Sequence, residues 1–173
     1  VWIASEQGLY IGNSIQDEKY NIQPVEKVNE AIKGECVQAL LCDSDGTWIG
    51  TKSYGAFHLS VNGNLEQYDQ ADKKLNYDNV LCFCHDTNGK LWIGTQGGGL
   101  SRYNELADRF EMLEVVRSFS DNAVYSIVED ERQNLWLATG KGLVCMSLSQ
   151  KDYAILYTQS DGIVNTQFVP RSS

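Results

Sequence analysis

Three carboxylates stand first among the residues that could do chemistry. Asp43, Asp86 and Asp130 recur at matching places along the chain, and grouped carboxylates can serve as general acids and bases. The two histidines are His58 and His85, and His85 lies beside Asp86. A Ser–His–Asp arrangement also needs a nucleophile motif, and none is present. Each of the three acids precedes a short turn, where a carboxylate has a local role in accepting hydrogen bonds from turn N–H groups. Gly97-Gly98-Gly99 has the composition of a phosphate loop. It leads into a strand pattern, however, with no helix N-terminus to hold an anion. The five cysteines are Cys36, Cys42, Cys82, Cys84 and Cys145. Cys82 and Cys84 are two apart on an expected strand and point to one face. The odd count and the lack of a zinc spacing favour buried thiols. A disulfide from Cys42 to a neighbouring repeat stays open in an oxidising compartment. No calcium-type loop appears, so neither a metal nor a cofactor is expected.

The elements that must position these residues are set by tryptophan. Trp2, Trp48, Trp92 and Trp136 are the only four, spaced by 46, 44 and 44 residues. Each sits among apolar or β-branched neighbours and is followed by Gly or Ala, then a hydroxyl residue, then a glycine: Gly8, Gly55, Gly99 or Gly142. Upstream of the last three, Val37–Asp43, Val80–Asp86 and Val124–Asp130 align without gaps. Turns rich in Asp, Asn and Gly join them to the Trp segments, as tight hairpins require. Each repeat therefore reads as strand A, a turn, strand B with the Trp, a Gly turn and strand C. Weaker outer strands D fit Leu65–Tyr68, Arg109–Leu113 and Ala154–Thr158. Four short strands at this period are the signature of β-propeller blades. The expected fold is all-β: a propeller fragment of about four four-stranded antiparallel blades, part of a larger ring. A helical solenoid would need apolar residues at i, i+3, i+4 and i+7 over ten or more positions. Only Val25–Lys33 approaches that, and it reads as a loop or a short helical turn.

Bulk properties narrow the partners. The chain has 173 residues and a formal net charge of −9, which argues against general nucleic-acid binding. No apolar run is long enough to span a membrane, and no signal peptide is visible. The chain opens at a strand B, so the expectation is an excised piece of a larger protein. Ligand binding is then the function to look for. In a propeller, the B–C loops and the D–A connections emerge at one end, around the mouth of the central channel. The B–C loops supply Gln7, Lys52, Ser53, Tyr54, Gln96 and Lys141, and the D–A connections supply Asn79, Arg117 and Asn122. These residue types suit sugar hydroxyls and carboxylates, though each also suits a solvated loop.

A family resemblance rests on the aligned residues. Asp86-x-x-Gly89-x-Leu91-Trp92-Ile93-Gly94-Thr95 followed by Gly99-Leu100-x-x-Tyr103 resembles the two-component regulator propeller repeat. Asn134–Thr139 with Gly142-Leu143 is a second match, and residues 157–168 resemble a link into a next blade. The second repeat departs from the pattern with Gly55-Ala56 and an A–B turn one residue shorter. The resemblance implies an extracytoplasmic sensor region of a hybrid two-component histidine kinase of Bacteroides-type bacteria. It implies a periplasmic place in an inner-membrane protein, an oligosaccharide ligand and no enzyme activity in this segment. The alternative is a scaffold propeller for protein–protein contact or self-assembly, as a homodimer through exposed blade faces. A lyase or hydrolase propeller would need His, Tyr or acids converging at the channel mouth, and His58 and His85 hold different repeat positions. A last strand at Val164–Val169 is expected to begin a further blade or to pair with the first.

Overall fold

Alternating side chains and turn residues organise the chain into hairpins, and the hairpins into blades. The computed structural model describes residues 1–15, 19–117, 122–150, 153–164 and 168, without the side chains of Ile15 and Arg117. Blade 1 is the antiparallel sheet β1 (Trp2–Ser5), β2 (Gly8–Ile15) and β3 (Lys19–Pro24). Helix α1 (Glu26–Ala31) leads to blade 2: β4 (Val37–Cys42), β5 (Gly46–Thr51), β6 (Ala56–Ser60) and β7 (Leu65–Tyr68). Blade 3 is β8 (Val80–His85), β9 (Leu91–Thr95), β10 (Gly99–Asn104) and β11 (Arg109–Met112). After the single turn α2 (Glu114–Arg117), blade 4 comprises β12 (Val124–Glu129), β13 (Asn134–Thr139), β14 (Gly142–Ser147) and β15 (Ala154–Tyr157).

The propeller reading and the expected A–D strands of blades 2 to 4 hold. Two details differ. Among the described residues blade 1 has three strands, and blades 2 to 4 have four each. Val25–Lys33 contains a six-residue helix, because Val28 and Ile32 fall one turn apart and both bury completely between blades 1 and 2. The expected strand at Val164–Val169 falls largely outside the described residues.

Three apolar layers hold the blades together, one between each successive pair. Leu9 and α1 meet Val37, Ile49 and Phe57. Trp48 and Tyr68 meet Val80, Ile93 and Phe110. Trp92 and Leu100 meet Ile127, Leu137 and Val144. Trp48 and Trp92 each pack on the following blade, and truncating one so buried costs about 3–5 kcal/mol. At Gly94 the approach is so close that a Cβ would stand 2.5 Å from Cys82 Sγ and 2.6 Å from the Val124 carbonyl oxygen.

The three acids anchor this packing. Asp86 Oδ1 accepts from the N–H groups of Asn88 and Lys90, and its Oδ2 accepts the Trp92 indole N–H at 2.9 Å. Asp130 does the same for Arg132, Asn134 and Trp136, again 2.9 Å from the indole. The turn-cap reading is right for all three, and the indole bond is an addition that spacing alone does not reveal. Asp43 caps Asp45 and Gly46 and turns Oδ2 instead to His85 Nε2 of blade 3, at 3.1 Å. Its turn is one residue shorter, so Trp48 follows the acid by five positions where Trp92 and Trp136 follow by six.

A second inter-blade clip lies at the outer rim. Tyr68 and Tyr103, from blades 2 and 3, both donate to Asp108 Oδ1 at 2.9 and 2.8 Å, and Lys74 pairs with its Oδ2. Replacing Asp86 by Ala strips the acceptor from an indole N–H on a residue 2 % exposed and from two turn N–H groups. A buried unsatisfied donor costs roughly 1–3 kcal/mol. Asp86→Ala should therefore destabilise the fold by about 1–3 kcal/mol, read as the fall in the urea midpoint multiplied by the m-value, and an unchanged midpoint would show that the indole bond is dispensable.

Candidate ligand-binding site

The end of the blades that carries the B–C loops is knitted by a repeated bond. The hydroxyl residue that closes each strand B donates to the carbonyl of the glycine at the start of strand C. The pairs are Ser5–Gly8 at 2.9 Å, Thr51–Gly55 at 2.8 Å, Thr95–Gly99 at 3.4 Å and Thr139–Gly142 at 2.8 Å. Gly55 has φ 73°, and a Cβ there would meet the Tyr68 carbonyl oxygen at 2.2 Å, which explains why the turn demands glycine.

The following D–A connection then seals the turns of blades 1 to 3. The Asn29 side chain brackets Leu9, accepting from its N–H at 2.7 Å and donating to its carbonyl at 3.0 Å. Asp78 O accepts from Gly55 N–H at 3.0 Å, and Asn122 O accepts from the N–H groups of Gly97 and Gly99. B–C loops and D–A connections thus share one end, as the sequence implies.

The residues expected there have different fates. Asn79 and Gln96 come together: Asn79 Nδ2 donates to Gln96 Oε1 at 3.2 Å. Lys52 is exposed on the equivalent loop of the preceding blade. Tyr54 is partly buried against the layer between blades 1 and 2, with Lys33 Nζ 5.6 Å from its ring centroid, so its ring is a packing element. Ser53 is turned to Glu35, donating at 2.7 Å. Asn122 acts through its backbone, at φ 64°, as the seal of the Gly97-Gly99 turn. Gln7 and Lys141 stand on blades 1 and 4, and among the described residues no side-chain hydrogen bond joins either to the others. The side chain of Arg117 lies outside the described residues.

Three residues missed by the sequence reading complete the site. Each strand A of blades 2 to 4 carries a bulge at its start: pairing skips from Val37 to Ala39, from Val80 to Cys82 and from Val124 to Ser126. The unpaired residues are Gln38, Leu81 and Tyr125. They line one cavity of about 240 Å³ together with Ala39, Leu40, Cys82 and Phe83, between the innermost strands of blades 2, 3 and 4. Gln38 Nε2 donates to Asn79 Oδ1 at 2.7 Å and to Val80 O at 3.0 Å. A chain of side-chain amides thus runs from Gln38 through Asn79 to Gln96. The only signal in the sequence is the identical alignment position of the three residues.

At the opposite end the histidines meet after all. His58 and His85 line a groove of about 250 Å³ between blades 2 and 3 with Asp43, Asp45, Glu66 and Glu105. Their repeat positions differ, yet the packing of blade 3 on blade 2 brings them to one groove. His58 stacks on Trp48 at 4.5 Å, and among the described residues no Ser, Thr or Cys lines the groove. Among the described residues no His, Cys, Asp or Glu group is arranged to hold a metal ion. No disulfide joins the cysteines, and Cys42 is exposed. Burial pushes the Cys82 thiol up to about 12, and burial also raises Cys84 and Cys145.

Three aspartates are held below their usual range. For Asp43, burial pushes upward, but hydrogen bonds from His85 and from the N–H groups of Asp45 and Gly46 outweigh it. For Asp108, burial is outweighed by Lys74, Tyr103 and Tyr68. For Asp130, the Asn134 side chain acts first, then its N–H and the Trp136 indole. Burial raises Asp78, which works in the opposite sense. Lowered folded values mean that the three contribute stability fully above their unfolded value, about pH 4, and lose it as the pH falls through the folded values. Guanidinium midpoints should thus stay nearly level from pH 7 to about pH 5 and fall below about pH 4; a rise on acidification would contradict these three bonds.

Comparison with known proteins agrees with the repeat. A family model described as "Two component regulator propeller" matches residues 74–97 and 118–141, in the A–B segments of blades 3 and 4. In these two stretches the chain is similar to two-component regulator propeller repeats. It is 29 % identical over 146 residues to Histidine kinase P4 of Formosa agariphila, a match that covers 79 % of this chain and 10 % of the kinase. The extracellular domain of a hybrid two-component system from B. thetaiotaomicron superposes with a TM-score of 0.69 at 21 % identity, over 96 % of this chain and 21 % of that one. Virginiamycin B lyase from Staphylococcus aureus superposes with a TM-score of 0.57 at 12 % identity, over 91 % of this chain and 54 % of the lyase. Such structural likeness shows the shared propeller fold alone. The chain spans about a tenth of the kinase and a fifth of the extracellular domain. No helix among the described residues is long and apolar enough to cross a membrane.

Proposed function

We propose that this chain is part of the extracytoplasmic sensor propeller of a hybrid two-component histidine kinase, and that it binds an oligosaccharide at the B–C end of its blades. The amide chain Gln38–Asn79–Gln96 carries the reading. It is a directional, neutral hydrogen-bonding row above a partly apolar cavity, which suits a ligand with hydroxyls on one edge and C–H groups on its ring face. The regulator-type repeats and the kinase relative support the signalling context. A periplasmic place, in a protein anchored to the inner membrane, belongs to the same proposal. Ligand binding would act by favouring one arrangement of paired sensors over another, in proportion to its differential affinity for the two. Thermal-shift screening of the intact sensor against oligosaccharides should give a stabilising hit that is lost in Asn79→Leu. A broad panel with no hit on folded protein would sink the reading.

A second reading, self-assembly, has its own observation. On blade 4, Val128, Trp136, Cys145 and Ile155 occupy one row across the sheet. The matching rows of blades 2 and 3, through Trp48 and Trp92, face a following blade. Here Val128 is 58 % and Ile155 36 % exposed among the described residues, an apolar row that either a further blade or a second copy would cover. Light scattering after size exclusion should show dimers that Val128→Lys and Ile155→Lys abolish; a strict monomer at high concentration would dismiss it.

A further inference from the structure

We infer that the ligand presents a carboxylate to Gln96 and Lys52, and so is an acidic saccharide whose ring lies against Leu81 and Tyr125. The inference rests on the sensing function proposed above and deepens it. It follows from the direction of the amide chain, which the backbone dictates. A carbonyl oxygen can only accept. Gln38 brings one side-chain atom to 3.0 Å from Val80 O and 3.5 Å from Thr51 O, so that atom is the amide nitrogen. The Asn79 atom 2.7 Å from this nitrogen must then be its oxygen, and the other Asn79 atom its nitrogen. That nitrogen lies 3.2 Å from Gln96, which must answer with its oxygen. The Gln96 NH₂ group is left as the open end of the chain, on an exposed residue.

The site therefore offers donors at its rim. Lys52 holds the same loop position in blade 2, directly after Thr51 as Gln96 is after Thr95, and it makes no ion pair among the described residues. An amide NH₂ and an ammonium at matching positions of adjacent blades complement an acceptor that carries negative charge. Below the rim, the bulges place Leu81 and Tyr125 in the wall of the 240 Å³ cavity, where the apolar face of a sugar ring can rest. Gln38 keeps its own nitrogen occupied by the backbone, which makes it a positioning residue.

The chain direction supplies its own test. Asn79→Asp accepts from both Gln38 and Gln96, so Gln96 must reverse and turn its oxygen outward. The packing volume is unchanged. Trimers of galacturonate, glucuronate and mannuronate, and their carboxyl-reduced counterparts, should be titrated into the intact sensor, with the Gln96 side-chain amide followed by NMR. At least one uronate trimer should shift that amide and bind about tenfold tighter than its reduced form, the scale of one charge-assisted hydrogen bond. Asn79→Asp and Lys52→Met should each weaken it by about tenfold or more, with melting temperatures unchanged. Gln96→Glu, which makes the open end an acceptor, should act likewise and stands in if Asn79→Asp does not fold. Equal binding of acidic and reduced trimers at Gln96 would overturn the carboxylate and leave the sensing function intact. Shifts that map away from Gln96 would overturn the site. Failure of every saccharide would remove both.

Discussion

The bond from an aspartate to an indole N–H is the constraint on which the blade array depends. A hairpin of this length has two faces and little to bury on its own. Asp86 and Asp130 use one carboxylate oxygen to close the turn and the other to hold the tryptophan two strand positions beyond it. The indole is thereby fixed in orientation, and at Trp92 its polar edge is satisfied where the ring is packed away from water. Three apolar layers, each shared by two blades, complete the array. Where the turn loses a residue, at Asp43, the same oxygen goes to His85 of the neighbouring blade. The bond then joins blade to blade directly.

The two ends of the array consequently differ in chemistry. The A–B end is acidic, with Asp43, Asp45, Glu66 and Glu105 around one groove. Most of these carboxylates are committed to turns or to neighbours. The B–C end is held by neutral groups: hydroxyls on glycine carbonyls, carbonyls on glycine N–H groups, and an amide row across two blades. Neutral amides have donors and acceptors to spare once the loops are sealed, whereas the capped carboxylates do not. That difference favours the B–C end as the place for a ligand.

Much of the architecture is legible in the sequence, and the reasons are local. Even spacing of tryptophan, glycine and hydroxyl residues marks the strands B and the turns after them, because each type has a fixed job within about ten residues. The outer strands D are weaker signals, yet Leu65–Tyr68 falls where alternation puts it. The candidate site is less legible. Asn79 and Gln96 stand out in the sequence only in company with Tyr54 and Asn122, which serve packing and backbone sealing. The two histidines hold different repeat positions and so look unrelated, and blade packing brings them to a common groove.

The sequence by itself determined the repeat: which residues pair within a hairpin, which glycines must turn, and that tryptophan must be buried. Those are short-range consequences of backbone geometry and side-chain size. Only the tertiary structure decided where the amides meet. Gln38, Asn79 and Gln96 belong to three different strands or connections, and no periodicity links them. Their hydrogen bonds exist because strand A slips by one residue at its start, a change of backbone register that no side chain announces. The direction of the chain comes from a still more distant source, the carbonyl oxygen of Val80 on the adjoining blade. A backbone carbonyl has the same character in every residue, so its effect is visible only once the fold has placed it.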